Sequence, residues 1–214
     1  MKSKILLLVI LVVLITGCTN INNESYKSLV NKTIKQKSTS NLASNGYNLF
    51  VPNGMTIISD KDNNLIFYSN GKRYYMYVDL VSYFNKSENN YTELENAFYS
   101  KTFDVDDKKL YVTIEKIENE DHLIVQYNYA KIEVVTDNIK EDLVRCILIL
   151  NNVKYNDIVI KSLIGSSSFD YNEEQYNLKS PKEKKADNSQ FLQYKEDYGN
   201  YEDPKDEDVV EVKD

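Results

Sequence analysis

The sequence predicts an α+β fold: an antiparallel β-sheet covered by helices, between a polar N-terminal segment and an acidic C-terminal one. Three observations lead there. Apolar and polar residues alternate through much of residues 41–135, with a period of two. Asn70-Gly71 sits between two apolar runs, and that dipeptide is the strongest short-range hairpin signal. Ile139, Leu143, Ile147 and Leu150 then recur at helical spacing, with Asn138 before them as a cap.

The elements follow in order. Tyr47-Asn48-Leu49-Phe50-Val51 is a strand that stops at the turn cluster Pro52-Asn53-Gly54. Met55 to Ser59 is a second strand, followed by a polar loop from Asp60 to Asn64. Leu65 to Tyr68 enters the Asn70-Gly71 hairpin, and the return strand runs from Arg73 to Phe84. Its two faces separate cleanly: Tyr74, Met76, Val78 and Leu80 on the core side, and Tyr75, Tyr77, Asp79 and Val81 on the half-exposed side. Thr92 and Glu95 have capping-box spacing, which predicts a short helix from Thr92 to about Ser100. Lys109–Glu118 alternates as a strand, Asn119-Glu120-Asp121 turns it, and His122–Val135 reads as one long strand. A capped helix runs from Asn138 to about Lys154, and a shorter one from Asp157 to Ile164 ends at Gly165. Residues 166–179 add one irregular strand.

Composition narrows the function. The 214 residues carry a net charge of -7, which excludes a nucleic-acid binder because phosphate neutralisation needs a basic face. Residues 41–179 hold nearly all the large apolar side chains and are read as the folded domain. Residues 18–40 are polar and Lys-rich, and read as a flexible tether. Residues 180–214, acidic and poor in large apolar groups, read as a disordered tail.

The first eighteen residues, MKSKILLLVILVVLITGC, give an address. Lys2 and Lys4 precede an apolar run from Ile5 to Ile15. As a helix that run spans ~16 Å, about half a hydrocarbon core, so it is a signal-peptide core and not a transmembrane helix. Ile15-Thr16-Gly17-Cys18 resembles the lipobox of bacterial lipoprotein precursors. The resemblance implies cleavage between Gly17 and Cys18 and acylation of the Cys18 thiol. Residues 1–17 are then the signal peptide, and the protein is anchored by its acyl chains to the outer face of the cell membrane. Two or more chains hold stably where one does not. Cys146 remains as the only thiol, in the apolar run Val144–Leu150, and reads as a small buried hydrophobe.

Gly46-Tyr47-Asn48-Leu49-Phe50-Val51-Pro52-Asn53-Gly54-Met55 is similar to the first hairpin of PsbP-like proteins. Ala130–Val135 and the helix closing on Ile149-Leu150-Asn151-Asn152-Val153-Lys154-Tyr155 resemble that family's last strand and helix. The resemblance covers about residues 46–155. It implies a sandwich of antiparallel sheet and helices, in a family of assembly factors, adaptors and envelope lipoproteins that shares no catalytic residues.

No catalytic constellation is visible. His122 is the only histidine and reads as exposed at the opening of its strand. Asp60–Asn64 begins like a calcium loop, but Leu65 stands where Gly is needed and Gly71 where Glu is needed. No catalytic residue, metal or cofactor is expected. The eighteen Tyr offer a different chemistry. A row of Tyr with Asp79 on the half-exposed face (Tyr75, Tyr77) is a candidate binding face, since tyrosine gives large contact area at low entropy cost. Tyr is also simply a good strand residue. The expectation is therefore a non-catalytic envelope module that binds a protein or peptide, with a small solute or glycan on the Tyr-rich face as the alternative.

Overall fold

The computed structural model describes residues 21–61, 63–88, 91–117 and 119–165. The leader with Gly17 and Cys18, the expected strand in 166–179 and the acidic segment 180–214 lie outside the described residues. A 3-10 turn (Ile21–Asn23) leads into α1 (Tyr26–Thr33). Two short strands, β1 (Leu42–Ala43) and β2 (Tyr47–Leu49), precede β3 (Thr56–Lys61), β4 (Asn64–Ser69) and β5 (Lys72–Val78). Then come α2 (Leu80–Asn85), β6 (Tyr99–Val105), β7 (Lys108–Ile117), β8 (Glu120–Tyr127) and β9 (Ala130–Thr136). The described chain closes with α3 (Ile139–Asn151), β10 (Lys154–Tyr155) and α4 (Asp157–Gly165).

Seven strands form one antiparallel sheet in the order β3-β4-β5-β9-β8-β7-β6, and β1-β2-β10 form a small second sheet. The α+β class and the antiparallel sheet with helices against it are as expected. The period of two places Leu65, Phe67, Tyr74, Met76, Leu110, Val112, Ile114, Leu123, Val125, Ile132 and Val134 in the core beneath α3. From α3, Leu143, Cys146, Ile147 and Leu150 are fully buried, and Ile139 packs at the margin. Asn138 takes the cap position without a side-chain cap bond, and its Nδ2 donates to Glu141 instead.

A buried ionic cluster fixes the start of α3 to the sheet. Asp142 is fully buried and accepts from Tyr74 Oη (2.5 Å), Arg145 Nη1 (2.9 Å), Lys72 Nζ (3.1 Å) and Thr136 Oγ1. Four donors on one carboxylate satisfy what would otherwise be a costly buried charge.

Several expectations are corrected. The segment 18–40 is not a tether from Ile21 onward. Leu29, Val30, Thr33 and Ile34 form a buried stripe on and beside α1 that packs against α3. Ser25 caps α1 by accepting from the Ser28 amide. Beyond the helix, Asn151 Nδ2 donates to the carbonyls of Ile34 and Gln36, and Asn152 Oδ1 accepts from the Ser38 amide. Residues 21–40 therefore pack as part of the fold, which does not start at residue 41.

The return strand from Arg73 stops at Val78, because Asp79 accepts from the Ser82 amide and starts α2. No helix forms over 92–100. The Glu93 carboxylate accepts from the Thr102 amide, the Leu94 amide donates to Ser100 Oγ, and the Thr92 carbonyl accepts from Tyr111 Oη. These groups of the sheet take the backbone partners that a helix would have used, and Leu94 and Phe98 stay exposed. The segment His122–Val135 is two strands joined by a hairpin at Asn128-Tyr129.

Candidate functional site

The hairpin tip at Asn128-Tyr129 has an unusual backbone. Both residues have positive φ, 52° and 61°, as a two-residue type I′ turn requires, yet neither is glycine. Three hydrogen bonds hold the turn. The Asp79 amide donates to the Tyr129 carbonyl (2.8 Å), Tyr155 Oη to the Asn128 carbonyl (2.5 Å), and Lys108 Nζ to Asn128 Oδ1 (2.8 Å). The start of α2, β10 and β7 are thereby tied to one turn.

Around it the Tyr side chains assemble. Tyr83 of α2 stacks on Tyr155 at 3.8 Å and meets Tyr129 edge-on at 5.7 Å. Its hydroxyl donates to Asp157 Oδ1 at 2.8 Å. Burial first, then the Asp157 contact, pushes the Tyr83 phenol up to about 12, and burial followed by the neighbouring Tyr129 does the same for Tyr91. Tyr155 is raised well above its ordinary range, chiefly by burial. The phenols therefore stay protonated at neutral pH and act as donors.

Two concavities flank this cluster and share Tyr129 as a wall. The larger, about 680 Å³, is lined by Tyr83, Tyr129 and Asn128, by three lysines (Lys86, Lys108, Lys109) and by two carboxylates (Glu88, Asp107). The smaller, about 190 Å³, lies over the end of the sheet beside Tyr77, Tyr91, Gln126 and Lys131. Lys86 Nζ rests 3.8 Å above the Tyr83 ring, a cation–π contact. A concavity of the larger size, with an aromatic wall and a few convergent donors, has the dimensions of a small-molecule site.

The expected face residues are divided between roles. Tyr75 and Tyr77 lie half-buried on the sheet face away from α3, as the alternation implies, and Tyr77 reaches the smaller concavity. Asp79 borders that concavity, but its carboxylate is engaged in capping α2. His122 is not exposed: it is buried between Glu115 on β7 and Glu133 on β9. Its Nε2 lies 3.2 Å from Glu133 Oε2 and its Nδ1 3.6 Å from Glu115 Oε2. Strand register, invisible in the sequence, brings those carboxylates over the ring. Burial raises the Glu133 pKa, but the His122 hydrogen bond and Lys131, at 2.7 Å, outweigh it and hold the carboxyl below its ordinary range. Among the described residues, no three His, Cys, Asp or Glu side chains are grouped to hold a metal ion. Cys146 is fully buried and its thiol is pushed well above the ordinary range by desolvation.

Sequence reasoning placed Tyr83 and Tyr129 among the tyrosines of the sheet faces but missed Tyr155 and Lys86 as their partners. One signal was available: an uninterrupted strand of fourteen residues is longer than sheets usually hold, and Asn128 was the polar break in it. Comparison with family models, curated proteins and solved structures finds no match to this chain.

Proposed function

We propose that the chain is a lipid-anchored protein of the outer face of the cell membrane whose domain is a non-catalytic binding module for a small solute or glycan. The observation that carries this reading is the polarity of the fold. The described chain begins at Ile21, where Lys140 Nζ at the start of α3 donates to the Asn22 carbonyl and the Tyr26 ring packs at a tilt against Tyr99. That is the end of the sheet where β7 turns into β8. The Tyr-lined cleft lies at the opposite end, one strand length away, ~25 Å for the eight residues of β8. With Cys18 acylated, three residues reach the fold and span at most ~11 Å. The domain then sits against the bilayer with the cleft pointing outward.

Two measurements test it. Mass spectrometry of the membrane-extracted protein finds acyl chains on Cys18, and Cys18→Ala abolishes them and shifts the protein to the soluble fraction. Finding wild-type Cys18 unmodified ends the anchoring claim. Ligand-induced thermal stabilisation of the domain, lost when the cleft is altered, tests the binding claim.

One observation favours a second reading, a protein or peptide partner. Edge strand β3 leaves Ile57 and Ile58 37% and 52% exposed, a surface suited to strand addition. The resemblance to PsbP-like proteins, a family that includes assembly factors, agrees with it. Crosslinking from position 58 that captures no envelope protein would remove this reading.

A further inference from the structure

The left-handed backbones least suited to their side chains, among the described residues, lie at the cleft. Among the described residues, six other than glycine have positive φ: Asn63, Asn70, Lys86, Asp106, Asn128 and Tyr129. Asn and Asp tolerate the left-handed region, whereas Lys and Tyr gain nothing from it. Lys86 (φ 54°) and Tyr129 (φ 61°) are the two that lack this excuse, and both line the larger concavity. Lys86 holds the position after α2 where glycine is the usual residue, and Tyr129 the second place of a turn that favours Asn-Gly. Glycine would relieve both sites, and the fold does not use it at either. Strain kept in this way marks residues whose side chains are needed there.

Charge at the cleft points the same way. Lys32, Lys72, Lys101, Lys116, Lys131 and Arg145 each face a carboxylate within ion-pair distance. Other lysines face no described carboxylate at that distance, among them Lys86, Lys108 and Lys109: Lys86 lies over Tyr83, and Lys108 reaches the neutral Asn128 amide. In a chain of net charge -7, three ammonium groups outside ion-pair distance of any described carboxylate converge on one aromatic wall and outnumber the two carboxylates, Glu88 and Asp107, that line the same concavity.

We infer that the cleft binds an anionic saccharide, with the Tyr129 ring as the stacking platform for a sugar face and Lys86, Lys108 and Lys109 as donors to its carboxylate or phosphate groups. The inference rests on the cleft being a binding site, as proposed above. Tyr83 is covered on one face by Tyr155, which leaves Tyr129, the wall common to both concavities, as the platform. Lysine ammoniums suit scattered anionic groups on a flexible sugar, where a planar fork would demand one fixed carboxylate.

The test uses the full chain in detergent against immobilised oligosaccharides in matched pairs, uronic-acid or phosphate-bearing and neutral. The wild type binds acidic members and not their neutral partners, and binding falls as salt rises. Tyr129→Gly and Lys86→Gly each weaken binding by about tenfold or more, while the melting temperature stays level or rises because the strain is gone. Equal binding of neutral and acidic members overturns the anion claim and leaves the cleft as a binding site. Undiminished binding by Tyr129→Gly, or a matching loss of melting temperature, overturns the role of Tyr129. Binding of no oligosaccharide overturns the inference, and the peptide reading at β3 then stands or falls on its own crosslinking experiment.

Discussion

Leu29→Ala separates a docked helix from a tether. Leu29 is 5% exposed on α1, against α3, and belongs to the main core cluster. Truncating a buried Leu to Ala costs about 2–5 kcal/mol, the sum of lost transfer energy and the cavity left behind. Leu29 lies at the edge of the core, where α1 can settle inward, so the lower part of that range applies, ~2–3 kcal/mol. For a domain of this size each kcal/mol moves the melting temperature by ~2–4 °C, which gives a drop of about 5–10 °C. Thermal and urea unfolding of the wild type, Leu29→Ala and the exposed control Lys27→Ala would measure it, with the control within about 0.5 kcal/mol of wild type. A Leu29→Ala change no larger than that of the control would refute the packing of α1 and return residues 21–40 to the status of a tether.

Three further outcomes are expected. Asp142→Ala leaves Lys72 and Arg145 without their buried partner and should cost about 3–5 kcal/mol in urea unfolding, whereas a loss under ~1 kcal/mol would mean the cluster is solvated. Glu133 ionises below its ordinary 4.5, so it stabilises the fold above that pH and the contribution is lost as pH falls; Glu133→Gln should flatten the acid side of the stability profile between pH 7 and pH 3.5, and an unchanged slope would contradict it. Cys146 should resist iodoacetamide in the native protein and react fully in urea, and rapid native alkylation would show that α3 opens.

Much of the sheet was legible because burial on one face imposes alternation directly on the chain. Leu110, Val112 and Ile114, or Tyr74, Met76 and Val78, announce their side without reference to any other segment. The stripe of α3 is legible for the same reason at helical period. What escaped depends on distant partners. Leu29 and Val30 look like two stray apolar residues until α3 offers a surface and Asn151 takes the following carbonyls. Asp79 reads as a strand residue because only the Ser82 amide, three positions on, makes it a cap. The 92–98 segment has a good local helix signal, but Glu93 and Thr92 are satisfied by β6 and β7. The cleft is illegible in principle from one segment, since Tyr83, Lys108, Tyr129 and Tyr155 come from four elements. Asn-Tyr at a hairpin tip does not advertise itself as Asn-Gly does.

The strand order has a consequence for how the chain folds. β3-β4-β5 and β6-β7-β8-β9 are each runs of hairpins between neighbours in sequence, so both form with low loop-closure entropy. Their one junction is the β5–β9 pairing, Tyr74 opposite Val134 through Val78 opposite Ala130, which joins residues far apart in the chain. Contact order makes that seam the expected slow step, and α3 with its Asp142 cluster seals it from above by gripping Lys72 and Tyr74 on one side and Thr136 on the other. A cut between α2 and β6 breaks no hairpin and leaves only the β5–β9 and β2–β10 pairings to form between the fragments. The two halves meet along the β5–β9 edge, in the β2–β10 pair and where α1 packs on α3.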